Sequence, residues 1–403
     1  MTSPPGAPSN PFRDRRFGWL FTVGAAVNGI RWAEIFAFSL ITFELTGSAF
    51  LVIVVGLLRM IPLMGGALIG LVAHRFAARR VIGASVTAGL AVHGVLIAVA
   101  ATGRLAVWHL AIAAFVSGVA LAVDFTVRRP LLGSIMPTDL LGRAMSLDFT
   151  ANTVARMLGP ALTGALLDGF GRPAIFVLGA VVYLAALLSI APVRLGDVDV
   201  SASEVDLSAM VEGYRFARAT PDIMAVVATT ITMNLFVFPY RHFVPVIGTE
   251  VLGLDATRVG LLTAVEGVGM TAASLGLTVW VRPHQFLGIL NAGTALAAAG
   301  AVVFGLSASV PLSIVAVFTV GIGIALFASI QPAIVVRDAP PGLRSRVMGL
   351  IGTLIGTNPL GLLLLGALAT LLGTAPGVVA AGSVGLGTVV ASAVRRRYVG
   401  RRR

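Results

Sequence analysis

Several charged residues lie inside long apolar stretches of this sequence, where ionisable groups could do chemistry. Arg31 and Glu34 are three residues apart and would share one face of a helix, with Asn28 one turn earlier. Glu266 lies at a similar depth in a later apolar stretch. A charge in such surroundings is costly, and a carboxylate there can take up and release a proton. Glu34 and Glu266 are therefore candidate proton-coupling groups, although Arg31 and Glu34 could instead form a self-neutralising pair that only stabilises the helix.

Further polar residues could complete a site in the first half of the chain. Arg59 lies near the middle of the next apolar stretch and could pair with Glu34. Asp148, Asn152 and Arg156 recur every four residues, which predicts a stripe along one helix face. We expect Asp148 to be an ordinary charge at the membrane surface and Arg156 to lie deeper.

Asp124 is a third candidate for proton coupling. It precedes Arg128 by four residues, so the two could form an ion pair within one helix near its end. Alternatively, its carboxylate could face a cavity. The sequence does not decide between these interpretations.

The second half of the chain contains a comparable polar stretch. Asn234 is followed by Pro239-Tyr240-Arg241-His242 and Pro245, and the two prolines predict a bent or broken helix of the kind that lines cavities in membranes. Arg241 or His242 could reach Glu266. With the residues above, the predicted cavity is lined by Asn28, Arg31, Arg59, Asn152, Arg156, Asn234, Tyr240 and Arg241.

The composition indicates that membrane-spanning elements position these side chains. Of 403 residues, 57% are hydrophobic and only 11% are charged, which is typical of an integral membrane protein and not of a soluble domain. There is no cysteine, which excludes disulfides and thiolate metal sites. The net charge of +12 fits loop charges that set membrane topology better than binding to nucleic acid.

Apolar stretches of membrane-spanning length divide the chain into an all-α protein with two six-helix halves. We predict twelve spans at about 17–42, 49–73, 81–101, 105–128, 143–168, 173–192, 222–247, 258–281, 286–306, 311–336, 346–372 and 376–394. The predicted domains are a cytosolic tail (1–16), a first half (17–192), a linker with an amphipathic helix (193–221), a second half (222–394) and a basic tail (395–403).

The arginines predict the orientation. If the N-terminus is cytosolic, the outer loops hold only Arg104, Arg172 and Arg258, and the other loop arginines lie inside. This asymmetry follows the positive-inside rule. We therefore expect both termini in the cytosol and a location in the plasma (inner) membrane.

The two halves carry related sequences. The stretch from Arg143 to Gly169 matches that from Arg346 to Gly373, with a shared Arg-x-Met start and a shared Gly-Ala-Leu motif. Both copies are rich in small residues, which allow helices to approach closely in lipid. Gly159-Pro160 in the first copy predicts packing and bending of the helix, with no ligand contact.

These features resemble the major facilitator superfamily. The stretch from Phe43 to Arg80 is similar to its multidrug and siderophore exporter branch, in which proton-driven efflux is typical. The family's gating loop corresponds here to Gly70, His74, Arg75, Ala78, Arg79 and Arg80, with His74 in place of the acidic residue. The fifth span resembles the antiporter signature through Gly159, Pro160, Thr163 and Gly164, with Ala155 replacing a glycine.

Catalytic motifs that would indicate another function do not occur. There is no Walker-type phosphate loop, and no catalytic triad or metal-ligand spacing stands out, so we expect neither an enzyme nor a cofactor or metal site. The resemblance implies a secondary transporter that exports small amphipathic compounds in exchange for protons, is surrounded by membrane lipid and is monomeric. Uptake or facilitated diffusion of a metabolite or lipid-like molecule, or a membrane sensor that does not transport, are the alternatives.

Overall fold

The computed structural model describes residues 11–65, 69, 72, 75–190 and 207–400. Within these ranges all regular structure is helical. In lipid a helix satisfies its own backbone hydrogen bonds, so long apolar segments form helices that can span the membrane. The predicted all-α membrane fold is confirmed.

Helices lie in all twelve predicted stretches, and the helix in the predicted stretch 49–73 is described as far as Met64. We call them spans 1 to 12: Arg15–Thr46, Ala49–Met64, Ala78–Ala101, Val107–Ile135, Thr138–Phe170, Arg172–Ile190, 221–250, Ala256–Trp280, Phe286–Leu306, Val310–Asp338, 341–372 and Thr374–Gly400. Nine helices among the described residues are long and apolar enough to cross a membrane. Of the other three, spans 1 and 5 contain buried charged residues, and span 2 has 16 residues.

The chain forms two compact units, which are described separately below. The first comprises Met1–Phe38 and Leu58–Glu204, and the second comprises Ser39–Leu57 and Val205–Arg403. The end of span 1 and the start of span 2 thus belong to the second unit, although they precede most of the first unit in sequence.

Three spans depart from regular α-helix. Span 4 contains a π-helical turn at Asp124–Arg128, and span 7 contains one at Met233–Val237 followed by a 3-10 turn at Phe238–His242. Span 11 is interrupted after Ile355 and resumes at Asn358. The predicted break in span 7 is confirmed, and Pro239, which lacks an amide N–H, lies within it. The π turns coincide with the candidate polar residues, as is frequent at functional sites.

Glycines allow the closest helix contacts in each unit. A Cβ atom on Gly118 of span 4 would lie 2.2 Å from the carbonyl oxygen of Arg59 in span 2. A Cβ on Gly321 of span 10 would lie 2.1 Å from the carbonyl oxygen of Glu266 in span 8. Any larger residue would force these helices apart. The first contact joins spans 2 and 4 and the second joins spans 8 and 10, so the two are equivalent in the two halves of the repeat.

The linker contains the predicted amphipathic helix, at Leu207–Ala219. Gly213 packs against the backbone at Arg346, which starts the second copy of the repeat. Glu212 forms an ion pair with the Arg346 guanidinium. The helix is therefore attached to the start of span 11.

Candidate functional site

Glu34 lies in the interior of the first unit and is paired with Arg59. Its Oε2 atom accepts a hydrogen bond from Arg59 Nη1 at 2.7 Å and another from the Ser117 hydroxyl. Arg59 also donates to Ser117 at 2.8 Å. Glu34 is 0% exposed and Arg59 is 2% exposed. The predicted Glu34–Arg59 pair forms, while Arg31 donates to Asn152, so the alternative Arg31–Glu34 pair was wrong.

A second cluster surrounds Arg128 in the same unit. Its guanidinium pairs with Asp124 one turn earlier and with Asp148 of span 5 at 2.8 Å. Arg129 also pairs with Asp124, at 3.1 Å. Gly24 of span 1 provides the necessary space, because a Cβ there would lie 2.3 Å from Arg128 Cζ.

This cluster decides two sequence interpretations. Two arginines and two aspartates form an overall neutral group in which Asp124 is held by ion pairs, as the helix-pair interpretation predicted. Asp148 is only 5% exposed, so the prediction of an ordinary surface charge was wrong. Burying a charge costs much less free energy when the charge has a partner of opposite sign.

A third group in the first unit places two cations around one aromatic ring. The Cζ atoms of Arg31 and Arg156 lie 4.8 and 4.9 Å from the ring centroid of Trp32, within cation–π distance. Asn152 Oδ1 accepts from Arg31 Nη2 at 2.7 Å and from Trp32 Nε1 at 3.0 Å. The predicted Asn152–Arg156 stripe of span 5 thus meets span 1. This group thus contains two guanidinium groups.

In the second unit, Glu266 contacts the broken part of span 7. Its Oε2 atom accepts a hydrogen bond from the Tyr240 hydroxyl, and its Oε1 atom lies 3.8 Å from Arg241 Nη2. Tyr240 is 1% exposed and Glu266 is 7% exposed. Arg241 thus reaches Glu266, as predicted. The contact differs from that of Glu34, because a neutral hydroxyl donates to Glu266 in addition to the guanidinium nearby.

Asn234 lies at the start of the same irregular segment. Its Nδ2 atom donates to the Thr230 carbonyl at 2.9 Å, and its own carbonyl accepts from Asn358 Nδ2 at 3.3 Å. Gln331 of span 10 donates to the Thr230 hydroxyl at 2.6 Å. The polar contacts here are neutral. In the first unit, the part of span 4 that corresponds to Gln331 of span 10 carries the charged Arg128 cluster instead.

The two halves contain the same ion pair with the charges exchanged. Gly118 and Gly321 show that Arg59 and Glu266 occupy matching positions. Arg241 of span 7 pairs with Glu266 as Glu34 of span 1 pairs with Arg59, so Arg241 and Glu34 take corresponding places. The acid is therefore on span 1 in the first half and on span 8 in the second.

The predicted gating residues are described only in part. Gly70 and His74 lie outside the described residues. Arg75 and Arg80 are exposed and Arg79 is half-buried. In span 5, Gly159, Pro160 and Gly164 are buried, and a Cβ on Gly159 would lie 3.1 Å from the backbone nitrogen of Ala33. This close approach supports the predicted packing role of Gly159.

Sequence reasoning missed two residues beside Glu34. Ser117 donates to its carboxylate, and His93 of span 3 places Nε2 3.3 Å from Oε1. Neither residue stands in a recognisable motif, and a serine or histidine in an apolar stretch carries no signal of its own. Only the packing of spans 1, 3 and 4 brings them to Glu34.

Twelve helical spans in the described part of the chain, with paired charges buried in their interiors, are typical of polytopic membrane transporters. The family model of the Major Facilitator Superfamily matches residues 17–357. The chain therefore belongs to this superfamily, whose members are transporters and not enzymes. A comparison with curated protein sequences gives no match.

Solved structures with the same fold are distant in sequence. A POT family transporter in complex with a thioalcohol-conjugated peptide has 14% identity and a TM-score of 0.70, with 95% of this chain and 96% of that chain covered. A bacterial homolog of the human lysosomal transporter Spinster, facing inward and unoccupied, has 16% identity and a TM-score of 0.64, with coverages of 96% and 95%. The human organic anion transporter TETRAN has 13% identity and a TM-score of 0.62, with coverages of 95% and 100%.

Proposed function

We propose that this chain exports small amphipathic compounds across the plasma membrane in exchange for protons, by alternating access. The observation that carries the proposal is the hydrogen bond between Tyr240 of span 7 and Glu266 of span 8. A tyrosine hydroxyl donates to a carboxylate and can accept from a carboxylic acid. Glu266 can therefore bind a proton by reversing this hydrogen bond, and the guanidinium that then loses its counter-charge, that of Arg241, lies 3.8 Å away.

Glu34 is the weaker candidate of the two carboxylates for direct exchange. Its ion pair with Arg59 is at hydrogen-bond distance and fully buried. Protonating Glu34 would leave a buried arginine without its counter-charge, which costs several kcal/mol. We assign Glu34 and Asp124 to the support of the transport site and Glu266 to proton exchange.

The residues around Trp32 support an anionic or partly anionic substrate. Arg31 and Arg156 flank the indole ring, so a planar group with a negative charge would find both an aromatic surface and cations. Within the described residues, Arg31 Nε has no hydrogen-bond partner although it is buried. The structural neighbours are named for different compounds, so this substrate class rests on residues of this chain alone.

The proton exchange can be tested with purified protein in proteoliposomes. Vesicles with a pH gradient and an internal pH-sensitive dye are given amphipathic organic anions, with cations of similar size as a comparison. We expect anions to dissipate the gradient, and Glu266→Gln to abolish this exchange while the protein remains folded. Glu250→Gln is the matched control, because Glu250 is an exposed carboxylate at the end of the same segment as Tyr240.

The substrate charge can be tested in the same vesicles. Asn152→Asp would place a carboxylate beside the Arg31 guanidinium, now 2.7 Å from Asn152 Oδ1. We expect anion transport to fall about 10–100-fold, the equivalent of a charged hydrogen bond of roughly 1.5–3 kcal/mol. Cation transport should not fall.

The other outcomes identify the alternatives. Counterflow of a metabolite or lipid-like probe without pH dependence would indicate uptake or facilitated diffusion and would contradict antiport. Saturable binding without translocation would indicate a sensor.

The direction of transport and the topology need separate experiments. Everted and right-side-out vesicles separate export from import. Cysteines introduced singly into this cysteine-free chain would test the cytosolic termini by labelling. Cross-linking would test the proposed monomeric state.

A further inference from the structure

His93 lies at the one carboxylate oxygen of Glu34 that Arg59 and Ser117 leave open. Glu34 Oε1 is buried and receives no well-aligned hydrogen bond from the described residues. The Nε2 atom of His93 is 3.3 Å from it, and the His93 side chain is 3% exposed. A buried acceptor without a donor is costly, so a donor at Nε2 would satisfy it.

The contact of the other ring nitrogen, Nδ1, shows which nitrogen of neutral His93 carries the proton. His93 Nδ1 lies 2.9 Å from the carbonyl oxygen of Gly89. A carbonyl only accepts hydrogen bonds, so Nδ1 must carry a proton. In neutral His93 the Nε2 lone pair would then face the ionised Glu34 oxygen. A proton between these two atoms makes the contact favourable, and the Arg59 guanidinium on the other oxygen of Glu34 favours the carboxylate, so the proton belongs on Nε2.

Two glycines hold the ring in this position. A Cβ on Gly179 of span 6 would lie 2.2 Å from His93 Nε2. A Cβ on Gly89 of span 3 would lie 2.5 Å from Cε1 of Tyr183, which packs on the His93 ring with centroids 5.2 Å apart. Spans 3 and 6 therefore each have a glycine opposite the large side chain of the other. A side chain at Gly179 would therefore occupy the space that the imidazole now fills.

We infer that His93 and Glu34 form a proton-binding site of the first half, in which the proton resides on His93 Nε2 and is paired with Glu34 Oε1. The ionisable groups facing His93 are Glu34 of span 1, Arg59 of span 2 behind that carboxylate, and Tyr183 of span 6. With the proton bound, Arg59, His93 and Glu34 carry a net charge of +1. Without it they are neutral.

The geometry thus places an imidazole, a group that can bind and release a proton, against a buried carboxylate. The role of this site in transport rests on the proposed proton coupling, and span 9, Phe286–Leu306, contains no histidine that could form a second such site.

The site is tested by a pH titration of full-length protein carrying ¹⁵N-labelled histidine, observed by NMR. The signal that His93→Gln removes belongs to His93. We expect it to change from an imidazolium at low pH to an Nδ1–H tautomer at high pH. The exposed His284 serves as an internal reference. An Nε2–H tautomer, or a neutral ring throughout the titration, would overturn the inference.

Two variants distinguish a proton-binding pair from a packed ring. Glu34→Gln should abolish the imidazolium, because a glutamine amide can donate to neutral Nε2. Gly179→Ala should do the same with Glu34 intact, since its Cβ displaces the ring. Gly94→Ala is the matched control, because no atom lies within 4 Å of a Cβ at that position of span 3. An unchanged imidazolium in Glu34→Gln would contradict the pair.

This experiment is independent of the proposed transport. The titration needs no transported compound, so it decides whether His93 binds a proton even if the vesicle assays show no antiport. Conversely, antiport that depends on Glu266 would stand if His93 proved neutral.

Discussion

Replacing Glu34 and Arg59 by glutamine, singly and together, would measure how strongly the two buried charges are coupled. The pair is almost fully buried, and the atoms Arg59 Nη1 and Glu34 Oε2 are 2.7 Å apart. Either single change leaves one charge without its main partner, which costs about 3–5 kcal/mol. In the double variant two neutral amides can bond to each other and to Ser117, so much of this cost disappears. We expect the double variant to be more stable than the sum of the single losses predicts, by about 2 kcal/mol or more.

The assay is reversible unfolding in mixed detergent micelles, with the four proteins compared under the same conditions. The control cycle uses Glu212 and Arg346, a pair at the linker helix whose side chains are 52% and 39% exposed. For such an exposed pair we expect a coupling of about 0–1 kcal/mol. Equal couplings in the two cycles, or additive losses for Glu34 and Arg59, would refute the argument that burial makes the first pair strong.

Two further predictions concern packing and pH. Gly118→Ala should prevent stable folding, because its Cβ would lie 2.2 Å from the Arg59 carbonyl oxygen. The control is Gly83→Ala, whose Cβ meets no atom within 4 Å. The yield and thermal unfolding of the two variants test this prediction, and equal stability would contradict it. The side-chain hydrogen bond from Arg16 holds the pKa of Asp14 below its ordinary value. Its contribution to stability is therefore present above the ordinary pKa and is lost as the pH falls through the lowered one. Protection of the first turn of span 1 from hydrogen exchange, corrected for intrinsic rates, should decrease over that range, and Asp14→Asn should remove this pH dependence.

The membrane fold could be predicted from the sequence because it follows from local properties. Each span is an apolar stretch long enough to cross the bilayer, and every backbone group within it can be satisfied only in a helix. The break in span 7 followed from Pro239 and Pro245, whose effect on a helix is local. The second copy of the repeat was less predictable, because the interruption after Ile355 divides what reads as one apolar stretch.

The candidate site could be predicted only as a set of unusual residues. The rarity of charges in lipid indicates Glu34, Arg59 and Glu266 without any structure. It does not indicate partners, and the nearest residue in sequence was misleading for Arg31, which binds Asn152 and not Glu34. The prediction that Asp148 is a surface charge was wrong for the same reason, since its position along span 5 does not show that Arg128 of span 4 lies opposite.

The sequence by itself determined that this chain is a bundle of membrane helices in two related halves with costly charges inside them, because hydrophobicity, proline and internal repetition act along the chain. Only the tertiary structure decided which charges meet, that the acid and base of the repeated pair exchange helices between the halves, and that His93 faces Glu34. These contacts join residues far apart in sequence. They depend on which glycine meets which side chain and on where a π turn falls, and the sequence shows neither.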